Sequence, residues 1–127
     1  MEYDDELFLV VAPEAAYLRT IRLVASDAGQ RAGLSVSEID DLRIAVDELA
    51  QALMNVTEDR LVIRVAVHGS QVLVRGTARR RRNDIPPRLH GAAALIVDAV
   101  SDHHELSHTG TEMWFVLAKT ASVVAVR

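Results

Sequence analysis

The sequence contains no cysteine, so disulfides, zinc–thiolate sites and a thiol nucleophile are excluded. Its longest uninterrupted apolar runs are six residues, far short of the roughly 20 that a bilayer-spanning helix needs. No basic stretch leading into an apolar run opens the chain, so no secretory signal is visible and the expected compartment is the cytoplasm, with no membrane partner. Lysine is nearly missing: of fourteen basic residues only Lys119 is lysine. Repeats and linkers are missing too, and biased sequence is confined to Arg79–Arg82. What is present is ordinary for a folded chain. Half the residues are apolar and a quarter are charged, which excludes a wholly disordered or collagen-like polymer. A length of 127 residues suits one domain covering 1–127, able to bury roughly two thirds of its unfolded surface.

The net charge of −4 is unevenly spread. Residues 1–59 carry a net −9 and residues 60–127 a net +5. Such a split fits a basic surface for a polyanion, or two faces of one domain. The Arg79–Arg82 run is open to three readings: a solvated mobile loop, an anion contact, or a dock for the acidic half of a second copy. It has no interleaved aromatics and sits in an acidic protein, which argues against sequence-specific nucleic-acid binding.

Hydrophobic periodicity orders the chain. Leu7–Val11 reads as a strand ended by Ala12-Pro13. A helix follows from Glu14, with Pro13 in its first turn and Tyr17, Leu18, Ile21, Val24, Ala25 and Ala28 on one stripe. Gly29 and Gly33 bracket its end. Ser35-Val36-Ser37-Glu38 is a capping box, and Ile39, Leu42, Val46, Leu49 and Leu53 stripe the helix behind it. Asp40 and Asp41 supply favourable charge to its first turn. Leu61–His68 and Gln71–Arg75 read as a hairpin about Gly69-Ser70. Residues 76–90 read as irregular, Gly91–Val100 as a short helix, and His103–His108 with Thr111–Lys119 as a closing hairpin. Thr120–Arg127 extends that last strand or frays. His104 and His108 lie about 13 Å apart on a strand, too far to share a metal ion, so no metal site is expected. Trp114 and Phe115 point to opposite faces, one to the core and one to the outside. The expected fold is α+β: a two-layer sandwich with three helices on one face of a mixed, mostly antiparallel sheet.

This order resembles the small anti-sigma-factor serine kinases of the histidine-kinase-like (GHKL) ATPase superfamily, whose fold is the Bergerat type. The phrase Ala12-Pro-Glu-Ala-Ala-Tyr-Leu-Arg19, then Ile39-Asp-Asp-Leu-Arg-Ile-Ala-Val-Asp-Glu48-Leu, carries the resemblance. The resemblance implies a glutamate that acts as base or positions the attacking hydroxyl, here Glu48, and a Mg²⁺-ligating asparagine four residues on. That position is Ala52, which offers no oxygen. Gln51 points about 100° away around the helix, and Asn55 lies about 4.5 Å further along. The resemblance also implies an aspartate reading adenine before two glycines; those positions hold Gly76, Ala78 and Arg80, and the nearest downstream acid is Asp84. A third motif, a glycine-rich helix start that holds phosphate, keeps Gly91 but has Ala93 for its second glycine. The Arg79–Arg82 stretch stands at a shortened ATP lid.

Each nucleotide motif thus lacks a residue its chemistry needs. The expectation is an anti-sigma-like regulatory protein in stress-type transcription control, a pseudokinase that binds proteins without ATP, Mg²⁺ or other cofactor. The partners implied are a sigma factor, a STAS-type antagonist and a second copy of the chain. By the resemblance, Arg19 contacts the partner protein, and Arg22 shares its helix face; a solvent-facing or ion-paired role is equally open for both. For Glu48 the alternatives are a remnant base or a solvated carboxylate. Two other functions remain open. One is an active ATP-dependent serine kinase using Glu48 with Asn55, Asp84 and Gly91. The other is an unrelated α+β module with a polyanion-binding arginine loop.

Overall fold

The computed structural model describes residues 6–81 and 85–122. Five strands and three α-helices follow the chain as β1 (Glu6–Val11), α1 (Leu18–Ala32), α2 (Val36–Met54), β2 (Leu61–His68), β3 (Gln71–Arg79), α3 (Ala92–Val100), β4 (His103–Thr109) and β5 (Glu112–Thr120). The strands form one sheet in the order β1-β2-β3-β5-β4. All four pairings are antiparallel, so the sheet has no parallel pair among the described residues.

The first helix begins later than its sequence pattern predicts. Pro13 precedes a single 3₁₀ turn at Ala15–Tyr17, and regular α-helix starts only at Leu18. Gly29 does not stop it: the glycine is buried inside α1, where an added Cβ would stand 3.0 Å from Ile39. The stop is Gly33, whose φ of +85° lets the Gly33 and Leu34 amides reach back to the carbonyls of Gln30 and Gly29. The second helix starts where its capping box places it. The Glu38 amide donates to Ser35 Oγ at 3.1 Å, and the Ser35 amide donates to Glu38 Oε1 at 2.8 Å.

Strand alternation separates two faces. Leu61, Ile63, Val65, Val72, Val74, Met113, Phe115 and Leu117 turn inward and meet Ile21, Leu42, Val46, Leu49 and Leu53 from the helices. Trp114 takes the outer face and Phe115 the core. The second hairpin strand runs four residues beyond its expected end, to Arg79, because β5 pairs with it along its whole length. Within that extension, Gly76 lies directly opposite Phe115. A Cβ on residue 76 would stand 2.2 Å from the Phe115 ring, so only glycine lets this aromatic lie against the strand. Asp40 and Asp41 sit past the first turn; Asp40 faces Arg43 at 3.9 Å and Asp41 faces Lys119 at 3.6 Å. No helix among the described residues is long and apolar enough to cross a membrane.

Glu38 also binds the chain's far end. Its Oε2 accepts from the Ser122 amide at 2.9 Å and from the Ser122 hydroxyl. The Ser122 hydroxyl, then the Ser35 amide, hold the Glu38 carboxyl down at about 2 from an ordinary 4.5. A depressed carboxyl stabilises the fold above its unfolded pKa, and that contribution disappears as pH falls from 4.5 towards 2. Thermal melts across this window will show a smaller drop in midpoint for Glu38→Gln than for wild type. Equal slopes would remove Glu38 from the acid response. The Gly76–Phe115 contact gives a second prediction. Gly76→Ala will cost about 1–3 kcal/mol of stability by overpacking, and the cost will shrink in a Phe115→Leu background. A neutral Gly76→Ala in denaturant unfolding would show that the ring yields freely.

Candidate functional site

Two places in the fold meet the sequence-derived candidates: the α2–α3 junction and the α1–α2 face. At the junction, Ala52, Asn55, Val56, Ile85, Pro86, Arg88 and His90 line a pocket of about 140 Å³. Ligand pockets for drug-sized molecules are typically about 300–1,000 Å³. Asn55 reaches this pocket as the C-cap of α2, exposed and with no side-chain hydrogen bond among the described residues. Glu48 does not line it; the carboxylate stands higher on α2, half-buried and without a hydrogen bond or ion pair among the described residues. Gly91 is the N-cap of α3 with φ +48°, a conformation that keeps glycine there for backbone reasons alone. Asp84 lies outside the described residues.

These residues do not fit an adenine nucleotide with Mg²⁺. Ala52, which holds the metal-ligand position implied by the resemblance, is buried and apolar. Gly76, at the adenine-reading position, carries no carboxylate, and the Phe115 ring fills the space beside it. Sequence reading did not find the Phe115 ring beside Gly76, because cross-strand pairing sets that contact. No group of three or more metal-ligating side chains gathers among the described residues.

Arginines 79–81 are tied into the fold, which corrects their reading as a mobile loop. Arg79 ends β3 and faces Glu112 at 3.7 Å. Arg80 Nη2 donates to the Gly110 carbonyl at 2.7 Å, and its amide donates to the Thr111 carbonyl. Arg81 donates through its amide to Val56 O and through Nη2 to Asn55 O, both at 3.0 Å, at the negative end of α2. Buried Thr57 adds a hydroxyl bond to the Arg79 carbonyl. The hollow beside them, about 370 Å³, is also lined by Glu58 and Asp59, so both signs of charge face it. Arg82 lies outside the described residues.

The α1–α2 face separates the two partner-binding candidates. Arg19 is exposed and makes no ion pair among the described residues. Arg22 is half-buried, and its Nη1 meets Asp47 Oδ1 at 2.5 Å; the other Asp47 oxygen accepts from Gln51 at 2.9 Å. Arg22 thus joins α1 to α2, and Gln51 is engaged there rather than turned to the junction pocket. Next to this bridge, Arg22, Asp40, Arg43, Ile44 and Asp47 line an open groove of about 460 Å³. Leu23 and Ile44 are large apolar residues left exposed on these two helices. Sequence reading did not find Asp47; the signal available was its four-residue spacing to Gln51.

No protein-family model matches the chain, and no curated protein matches it by sequence. Its three-dimensional form does find matches. One is the crystal structure of the RsbU and RsbW domains of Rv1364c from Mycobacterium tuberculosis, at a TM-score of 0.68 and 16% identity. The likeness covers 95% of this chain and 34% of that one, so the chain spans about a third of the length of the protein it matches. The shared property is the fold: an α+β layer of three helices on a five-stranded antiparallel sheet.

Proposed function

We propose that this chain is an anti-sigma-like regulatory domain that acts by binding proteins, with its nucleotide site no longer in use. The regulatory half of this reading is supported by the fold shared with an RsbW-containing protein and by the motif pattern of anti-sigma kinases. The observation that carries the loss of nucleotide chemistry is the Phe115 ring against Gly76, where the family would need a carboxylate. Ala52 on α2 and the small pocket at the α2–α3 junction point the same way.

On this reading the α1–α2 groove receives a sigma factor and withholds it from RNA polymerase. Arg19 supplies the free charge of that surface, and Arg22 fixes the angle between the two helices through Asp47. Leu23 and Ile44 add apolar area that would be desolvated on binding. A STAS-type antagonist would compete for the same face. Release then follows from competition, since phosphorylation needs a nucleotide that the site does not fit.

The competing kinase reading keeps some support, because Asn55 faces the junction pocket with a free side chain. Calorimetric titration separates the two. Mg-ATP and Mg-ADP will give no binding up to about millimolar concentration, near the weak end of specific affinity. Tight, Mg-dependent binding would establish the kinase instead. For the partner surface, tagged chain recovered from its native host will carry a sigma factor identifiable by mass spectrometry. Arg19→Glu will reduce that recovery about tenfold without moving the melting temperature, as expected for an exposed charge at an interface. Arg22→Ala will lower both recovery and stability. Undiminished sigma recovery with Arg19→Glu would remove this face from the interface.

A further inference from the structure

The three helices pack on one face of the sheet, and no described element covers the other. Strand alternation fixes what that open face carries. Phe8 of β1 stands opposite Arg64 of β2, and Arg64 stands opposite Arg75 of β3. Arg75 in turn faces Val116 of β5, two residues from Trp114 on the same side of that strand. The centre of the face is therefore a pair of arginines with one aromatic on each flank. Both arginines are exposed. Like charges directly opposite on neighbouring strands repel and cost stability. Nothing in their own hairpin offsets this, because Leu61–His68 and Gln71–Arg79 contain no acidic residue. Arg64 lies over the Phe8 ring, 4.5 Å from its centre. Neither arginine has an ion pair among the described residues. Glu6 lines the same shallow hollow as the two arginines but forms an ion pair with neither. Of the other acids on this face, Glu112 faces Arg79 at 3.7 Å, and Glu105 stands on the far edge strand.

We propose that this open face binds single-stranded nucleic acid, with a backbone phosphate between Arg64 and Arg75 and bases stacked on Trp114 and Phe8. A phosphate accepts hydrogen bonds from two guanidinium groups at once and cancels the repulsion between them. Neighbouring strands lie about 4.8 Å apart, so side chains rooted opposite each other converge on one anion without any change in the sheet. Trp114 stands on the diagonal from Arg75, about 7–8 Å away between backbones, so a single nucleotide spans both. An unpaired nucleotide asks for this pairing of groups: cation for its phosphate, aromatic face for its base. Phe8 is 56% exposed and Trp114 half-buried, so each ring has a surface to offer. A duplex does not fit, because a flat face presents no helix or narrow ribbon to a groove. An acidic peptide would satisfy the arginines and leave both rings without a stacking partner. Stacking is indifferent to base identity, so the binding is largely sequence-tolerant. The face lies across the sheet from the α1–α2 groove, and the inference does not rest on the regulatory reading.

The test titrates the whole chain with an oligothymidylate of about 12 nucleotides, within the range that single-strand platforms cover. Trp114 is the sole tryptophan, so a base stacked on it will quench the protein's fluorescence directly. Anisotropy of the labelled oligonucleotide will give a dissociation constant between about 1 and 100 μM at physiological salt, weakening as salt rises. Arg64→Gln and Arg75→Gln will each weaken binding and flatten the slope of log K against log salt by about 0.7. Trp114→Leu will weaken binding about fivefold or more and leave that slope unchanged. Arg31→Gln, in the last turn of α1, will change neither. Circular dichroism melts establish that each variant is folded; if Trp114→Leu is not, wild-type quenching and the arginine variants decide. Absent quenching, a salt slope unmoved by both folded arginine variants, or an equal loss with Arg31→Gln each overturns the proposal. Polyglutamate that displaces the oligonucleotide at equal charge concentration also overturns it, and would assign the face to an acidic peptide.

Discussion

The ring of Phe115 lying on Gly76 is the contact on which the centre of the molecule depends. β3 is the middle strand of five, and β5 pairs with it from Gln71 to Arg79. At the sixth of their nine residue pairs, a missing Cβ on one strand makes room for the largest fully buried side chain on the other. Burying a phenylalanine is worth about 1.5–3 kcal/mol, and interiors packed to crystal density leave little slack around it. A carboxylate at residue 76 would have to displace that ring and enter an apolar core without a partner, which costs several kcal/mol. Position 76 therefore serves the packing of the core.

Several charged side chains join elements of the fold. Lys119 occupies an inward position on an apolar strand, where its ammonium donates to the Val100 carbonyl at 2.9 Å and faces Asp41 at 3.6 Å. It thereby joins β5 to the end of α3 and to α2. Glu38 joins the start of α2 to Ser122. Arg81 caps the end of α2 with two donors, and Arg22 ties α1 to α2. These links cross between elements far apart in sequence, so each adds orientation where apolar contact alone is indifferent to small sliding. Arg80 and Arg81 hold the β4–β5 turn and the last turn of α2 through their donors.

Local rules explain what the sequence made legible. The Ser35–Glu38 box, the Gly33 stop, the Gly69 turn and the alternation of β2 each depend on residues within a few positions, and each stands in the fold as read. The antiparallel character of every pairing was less accessible, since register between distant strands is not written in either strand alone. The end of β3 was misplaced for the same reason: Gly76 and Ala78 look like loop residues until Phe115 and Met113 are set opposite them. The candidate site divided similarly. That Ala52 lies one turn beyond Glu48 could be read from spacing along one helix. That Arg22 would be engaged by Asp47 while Arg19 stayed free needed the α1–α2 packing. The lone lysine did carry a signal, because an inward lysine on an apolar strand demands a partner.

The two outward-facing features of the molecule lie on different elements and ask for different things. The α1–α2 groove mixes guanidinium, carboxylate and apolar surface, a composition suited to reversible recognition of another protein. The β1 edge is uncharged from Leu7 to Val11 and pairs only with β2 among the described residues. Neither feature needs a nucleotide. β1 reaches the core mainly through Val11, while α1 packs on β2 and β3, so occupation of one surface leaves the other geometrically open.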